Sequence, residues 1–75
     1  MDLHHLVKMA NEIGAFFEAG GDRDEAVKSI ATHLRNFWEP RMRNEIIAHA
    51  HKGGADLHKI VREAVLSLEA PHKTS

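Results

Sequence analysis

The chain has 75 residues, no cysteine, and ten basic against eleven acidic side chains, so its formal net charge at pH 7 is -1. This length predicts a single domain, residues 1–75, with a modest core. The lack of cysteine excludes disulfides and thiolate metal sites, and the balanced charge argues against electrostatic binding to nucleic acid or anionic membranes. No apolar run approaches the ~20 residues of a membrane span. The first residues lack the pattern of a signal peptide, which favours a cytoplasmic protein.

The first predicted helix covers about residues 3–19 and carries a wide apolar stripe. Asp2 is placed to cap its first turn. The main stripe recurs at helical spacing and comprises Leu3, Leu6, Val7, Ala10, Ile13, Gly14 and Phe17. Met9 and Phe16 widen the stripe on one flank, and a stripe this wide favours a contact beyond the domain's own core. Gly14 indicates either the close approach of another backbone or a tolerated weak position in the helix.

The second predicted helix covers about residues 23–38, between a double-glycine stop and a proline corner. Gly20 and Gly21 end the preceding helix because glycine accepts left-handed geometry without a side-chain clash. Asp22 can cap the new helix. Its apolar positions are Ala26, Val27, Ile30, Ala31, Leu34, Phe37 and Trp38. We expect Phe37 in the core. For Trp38 the core and a contact surface are equally open, because tryptophan is less often fully buried.

The third predicted helix covers about residues 40–52 and begins at Pro40. Proline suits the first turn of a helix and disfavours helical geometry in the residue before it, so the chain should bend here. The apolar positions are Met42, Ile46, Ile47 and Ala50. Arg41 and Arg43 have glutamates four residues away, at Glu45 and Glu39, and are expected as solvated ion pairs. The alternative is that one arginine binds a carboxylate or phosphate of a partner.

The fourth predicted helix covers about residues 57–69, after a second double-glycine stop. Its stripe is the most regular in the chain and comprises Leu57, Ile60, Val61, Ala64, Val65 and Leu68. Asp56 or His58 can cap its start. A frayed tail is expected from about residue 70. Four short helices with short connections and no strand signal predict an all-α fold, a compact four-helix bundle.

Seven histidines raise the question of a metal site, but their spacing does not support one. His49 and His51 are two residues apart on a helix and therefore point in different directions. No histidine belongs to a zinc motif such as HExxH, and no hydroxyl residue lies in a glycine-rich elbow or a phosphate-binding loop. We therefore expect no catalytic residue, no cofactor-binding residue and no metal ligand, and hence no enzyme activity in this chain.

Four segments carry a resemblance to a known family: residues 4–17 (HHLVKMANEIGAFF), 30–43 (IATHLRNFWEPRMR), 53–57 (GGADL) and 61–65 (VREAV). Together they resemble the delta subunit of NAD-dependent formate dehydrogenase, from about Leu6 to Leu68. The most specific element is the run of residues 37–43, two aromatics and an acid followed by PRMR. Two positions depart from the family pattern. Glu39 stands where aspartate is frequent, and His58-Lys59 replaces an acid-proline pair at the start of the last helix.

The resemblance implies a non-catalytic accessory subunit of a cytoplasmic complex that contains molybdenum or tungsten, oxidises formate to carbon dioxide and passes electrons to NAD. It implies that other subunits hold the cofactors, namely molybdenum bis-molybdopterin guanine dinucleotide (bis-MGD), iron–sulfur clusters and FMN. This chain would assist assembly, cofactor insertion or stability of the catalytic alpha subunit, either as a resident subunit or as a transient maturation chaperone.

The corner between the second and third helices is the expected contact surface for that partner. Aromatic residues, methionine and arginine are enriched at protein interfaces. The predicted contact residues are Phe37, Trp38, Pro40, Arg41, Met42 and Arg43. The alternative function is a free-standing helical regulatory or nucleic-acid-binding module, since two helices around a corner resemble a helix-turn-helix. No helix is markedly basic, which disfavours that alternative.

Overall fold

The computed structural model describes residues 2–68, which form four helices joined by short connections. The helices are α1 (Leu3–Glu18), α2 (Arg23–Phe37), α3 (Pro40–His51) and α4 (Lys59–Ser67). No strand occurs between residues 2 and 68, so the predicted all-α helical bundle is confirmed. The first three helices each end one residue before the predicted end, and the predicted end of the fourth, residue 69, lies outside the described residues. The frayed tail predicted from about residue 70 lies outside the described residues.

The first two helices begin at the predicted caps. The Asp2 side chain accepts a hydrogen bond of 3.2 Å from a backbone N–H in the first turn of α1. The Asp22 side chain accepts two such bonds at the start of α2, of 3.0 and 3.3 Å. Pro40 occupies the first turn of α3, where its missing N–H costs no helical hydrogen bond. These short-range signals set three of the four helix starts.

The connection from α3 to α4 departs from the prediction, because α4 begins at Lys59 rather than at residue 57. Gly54 and Asp56 both have positive φ, 63° and 69°, so the chain is still turning there. The Asn11 side chain of α1 then holds the turn from both sides. Its Nδ2 donates to the Asp56 carbonyl (2.8 Å), and its Oδ1 accepts from the His58 N–H (2.9 Å). His58 is therefore the N-cap of α4, although its side chain makes no capping bond.

The core lies where α4 packs against each of the other three helices, and α1 also packs against α2 and α3. The fully buried large side chains are Leu6, Ile30, Leu34, Ile46, Val61 and Val65. Each belongs to an apolar stripe read from the sequence. A small bundle of this kind is stabilised mainly by the packing of amphipathic faces rather than by helix propensity.

Gly14 is buried where α1 meets α4. A Cβ built on Gly14 would overlap Cγ2 of Val61, the nearest atom outside its own helix. The close neighbour is thus a side chain of α4 and not the backbone that one prediction envisaged. Because the overlap would be severe, Gly14 is also not merely a tolerated weak position in the helix: the packing requires a residue without a side chain there. Glycine lets the fully buried Val61 press directly against α1.

Candidate docking surface

The helix α1 has a second apolar flank beside the stripe that enters the core. The core stripe comprises Leu6, Val7, Ala10 and Gly14. Met9, Ile13 and Phe17 follow at helical spacing on the flank and pack partly against the core. Phe16 belongs to the same flank, and its side chain remains 75% exposed. The flank therefore extends the apolar face of α1 from the core out into solvent, as the wide stripe predicted.

Four aromatic rings form a continuous row across α1 and α2: Phe16, Phe17, His33 and Phe37. The centroids of Phe16 and Phe17 lie 5.1 Å apart, with the rings nearly perpendicular at 82°. Phe17 meets His33 at 6.1 Å, and His33 meets Phe37 at 4.7 Å. These distances fall within the range of favourable aromatic pairs. We refer to these four residues as the aromatic row.

Beside the aromatic row lies an open groove of about 440 Å³ between α1 and α2. The groove is lined by Met9, Glu12, Ile13, Phe16, Phe17, His33 and Trp38. Glu12 is the only lining residue with a formal charge when histidine is neutral. Its exposed carboxylate makes no hydrogen bond or ion pair with any residue that the structure describes. The groove is thus an apolar surface with one unpartnered negative charge at its rim.

The two neighbouring aromatics of the corner, Phe37 and Trp38, differ in burial. Phe37 is 73% exposed, so the prediction that it lies in the core is wrong, whereas Trp38 is only 7% exposed. Helical spacing permits either ring to follow the buried Leu34, and the packing of the helices selects Trp38. Ile30, Leu34 and Trp38 are four residues apart and form one buried line, while His33 and Phe37, also four apart, lie on the flank. Trp38 thereby closes the end of the core and forms part of the groove.

The other predicted contact residues have different surroundings. Pro40 and Arg41 are exposed, and Met42 is partly buried. Arg43 is also partly buried, and its Nη1 donates to the backbone carbonyl of Arg35 (2.5 Å), which fastens α3 to the end of α2. Arg43 lines a separate depression. Of the six residues, only Phe37 belongs to the aromatic row and only Trp38 lines the groove. The six residues therefore do not form one groove, and their role in partner contact stays a prediction.

The local ion pairs predicted for the corner arginines are absent. The ion pair that the structure does show joins Arg23 to Glu63, at 2.6 Å, and neither corner arginine forms one with a described residue. Arg41 therefore does not pair with Glu45, nor Arg43 with Glu39. An exposed ion pair gains little energy and costs side-chain entropy, and the carbonyl of Arg35 offers Arg43 a fixed acceptor instead.

Three residues of this surface were not among the predicted contacts: Glu12, Phe16 and His33. The sequence did contain a signal for Phe16, which widened the α1 stripe beyond the width that one core contact requires. His33 carried a weaker signal, since it precedes Phe37 by one helical turn. No pattern in the sequence identified Glu12, because its significance depends on its position at the rim of the groove and on its lack of an ion pair with the described residues.

The described residues do not supply the donor atoms of an iron–sulfur cluster or of a three-ligand metal site. The sequence has no cysteine and so cannot supply thiolates to an iron–sulfur cluster. Among the residues described, no three His, Asp or Glu side chains are arranged to hold a metal ion. His33 belongs to the aromatic row, and Nε2 of His49 lies 2.8 Å from the carbonyl oxygen of Ala55. No helix within residues 2–68 is long and apolar enough to cross a membrane.

Comparison with protein-family models gave a match. The family model described as NADH-dependent formate dehydrogenase delta subunit FdsD matches residues 5–65. A search of curated proteins found no match, and a search of solved structures found none either. The matched range contains all of α1 except its first two residues, the whole of α2 and α3, and most of α4. It also contains the aromatic row and every residue of the groove.

Proposed function

Because the chain belongs to the delta-subunit family of NADH-dependent formate dehydrogenase, we propose that it is a non-catalytic accessory subunit of a cytoplasmic formate dehydrogenase complex. Its partner in this proposal is the catalytic alpha subunit. Its role is to assist assembly, cofactor insertion or stability of that subunit. The molybdenum or tungsten with its bis-MGD, the iron–sulfur clusters and FMN belong to other subunits.

The observation that carries the proposal is the exposure of two large aromatic side chains in a folded domain of this size. Phe16 and Phe37 are 75% and 73% exposed and belong to one aromatic row. A contiguous exposed apolar surface costs solubility, and on small proteins it commonly marks an interaction site. Aromatic residues are also enriched at interfaces. The surface therefore supports a protein that acts by binding a larger neighbour.

The composition of the chain supports the assignment of the redox chemistry to other subunits. In the proposed complex, electrons pass from formate to NAD through cofactors bound by other subunits. This chain has no cysteine for a cluster, and its residues 2–68 contain no group of three ionisable ligands suited to a metal. Its contribution is therefore to the formation or durability of a complex whose other chains carry those cofactors.

Production of the complex with and without this chain tests the proposal. We expect the chain to co-purify with the alpha subunit, and we expect its omission to lower the molybdenum and bis-MGD content or the thermal stability of that subunit. The isolated chain should show no formate-dependent reduction of NAD. Turnover by the isolated chain would overturn the proposal. So would an alpha subunit that does not retain the chain and is unchanged in cofactor content and stability.

The same preparations distinguish a resident subunit from a transient maturation factor. A resident subunit is present at a fixed ratio to the alpha subunit in the mature, active complex. A maturation factor is bound only to the cofactor-free alpha subunit and is lost after the cofactor is inserted. Quantitative mass spectrometry of the two forms separates these outcomes.

A test of the predicted corner contact needs a variant that stays folded. Trp38 is buried, so its replacement would test folding rather than docking. Arg41 is exposed and makes no ion pair with the residues described, so Arg41→Ala changes the surface with little effect on the fold. Loss of co-purification would assign the corner to the contact, and unchanged co-purification would remove Arg41 from it.

A further inference from the structure

Resting on the proposed function, we infer that the groove between α1 and α2 receives an amphipathic helix of the catalytic subunit. The apolar stripe of that helix lies along the aromatic row, and a lysine or arginine on its flank pairs with Glu12. This inference specifies the surface, the secondary structure of the occupant and the sign of its charge.

The width and chemistry of the surface indicate an apolar occupant. Phe16 and Phe37 stand at the two ends of the aromatic row, and each has about three quarters of its side chain in solvent. Between them, Phe17 and His33 keep the row continuous from α1 to α2. A groove between two helices with apolar side chains along it is a surface on which amphipathic helices dock. Phe37 extends the aromatic row beyond the groove, to the edge of a neighbouring depression on α2.

The scarcity of hydrogen-bonding groups favours a helix over an extended segment. An extended peptide needs partners for its backbone N–H and C=O groups, which it finds at a sheet edge or at polar side chains. The described part of this chain has no strand, and among the groove residues only His33 and Trp38 carry a side-chain N–H. The polar side chains of α2, such as Thr32 and Asn36, lie outside the groove, in the depression beside Phe37. A helix satisfies its own backbone groups internally. It can therefore cover this surface without leaving polar groups unpaired.

The charge at the rim indicates the complementary residue. Glu12 faces the groove and has no ion-pair partner among residues 2–68. Even Lys8, one helical turn away on α1, does not pair with it. Complementary charges at an interface set orientation and reject wrong partners. An incoming helix with a basic residue beside its apolar stripe would fix its register on Glu12.

A second copy of this chain fits the groove less well. In a two-fold symmetric contact the same patch faces itself. The groove would then meet an identical groove that carries Glu12 and no lysine or arginine. Such a contact would bury the rings, and the groove lining would supply no lysine or arginine to either carboxylate.

Binding of purified catalytic subunit to full-length variants tests the surface. Phe16→Ala and Phe37→Ala remove the two exposed rings and should each weaken binding by about tenfold or more, as hot-spot aromatics do. Glu12→Lys should weaken binding more than Glu12→Gln, because it places two cations together. Leu3→Ala and Glu45→Gln are matched controls in a different depression and should stay within about twofold. Circular dichroism and thermal melts confirm that each variant is folded.

The outcomes separate this inference from the proposed function. If the folded Phe16 and Phe37 variants bind the catalytic subunit as the unmodified chain does, the groove is not the contact, while the accessory role stands. If the unmodified chain itself does not bind the catalytic subunit, the proposed function fails first. Equal losses in the control variants would also overturn the assignment to the groove.

A photo-crosslinking residue in place of Phe16 identifies the occupant. We expect cross-links to one segment of the catalytic subunit that has an apolar stripe with an adjacent lysine or arginine. A synthetic peptide of that segment should gain helical circular dichroism on binding. Reversal of its basic residue to glutamate should restore binding to the Glu12→Lys variant. Cross-links to another copy of this chain, a peptide that stays extended, or a charge swap that restores nothing would each overturn the inference.

Discussion

Replacement of Gly14 by alanine tests the packing between α1 and α4. In an exposed helix this change stabilises by about 1 kcal/mol, because alanine loses less conformational freedom on folding. At Gly14 the new Cβ would overlap Cγ2 of Val61. Val61 is fully buried and β-branched, and in a helix such a side chain has one strongly preferred rotamer. The side chain therefore cannot turn away, and the helices must move apart or distort.

The magnitude follows from two opposing contributions. Overpacking of a well-filled core costs about 1–3 kcal/mol, and the gain in helix propensity offsets about 1 kcal/mol of that cost. We expect Gly14→Ala to lower the free energy of unfolding by about 1 kcal/mol. For a domain of this size that loss corresponds to a fall in Tm of about 4–8 °C. The sign is opposite to the one that helix propensity alone predicts.

Urea denaturation of a double-mutant cycle with Val61→Ala measures this effect. Val61→Ala destabilises the protein by itself but removes both Cγ atoms, which makes room for a Cβ at position 14. In that background Gly14→Ala should stabilise by about 1 kcal/mol, so the coupling energy is about 2 kcal/mol. The exposed neighbour Ala15 provides the control, since Ala15→Gly reports helix propensity without packing. If Gly14→Ala stabilises the protein, or has the same effect in both backgrounds, the packing argument is refuted.

Three further predictions concern the corner, the α3–α4 connection and the α2 cap. Phe37→Ser should change the free energy of unfolding by less than about 0.5 kcal/mol, whereas Trp38→Ala should cost about 3–5 kcal/mol; equal melting temperatures for the two variants would contradict their burial. Asn11→Ala should lower the free energy of unfolding by about 1–2 kcal/mol, since it removes two hydrogen bonds. It should also speed hydrogen exchange at the His58 amide, and an unchanged exchange rate there would contradict the role of Asn11. Asp22→Ala should cost about 1 kcal/mol and Asp22→Asn much less, because asparagine also caps well; similar urea midpoints for both would contradict the capping role.

The sequence determined the helices and their approximate ends, because the signals involved are local. Asp2 and Asp22 cap helices through backbone amides two or three residues away. Pro40 marks the start of α3 through its own ring geometry. The apolar stripes also identified the fully buried residues, since helical spacing places them on one face whatever lies opposite. The sequence also indicated the family, through the run from Phe37 to Arg43 and the opening of α1.

Only the tertiary structure decided the details that depend on distant residues. The start of α4 depends on Asn11, more than forty positions earlier, whose side chain holds Asp56 and His58. The choice between Phe37 and Trp38 depended on which ring continued the buried line toward α1, and helical spacing allowed both. The structural role of Gly14 depended on its contact with Val61 of α4. A periodic pattern states which side of a helix is apolar, but the atoms that meet that side belong to other helices. Their identity follows only when the helices are packed.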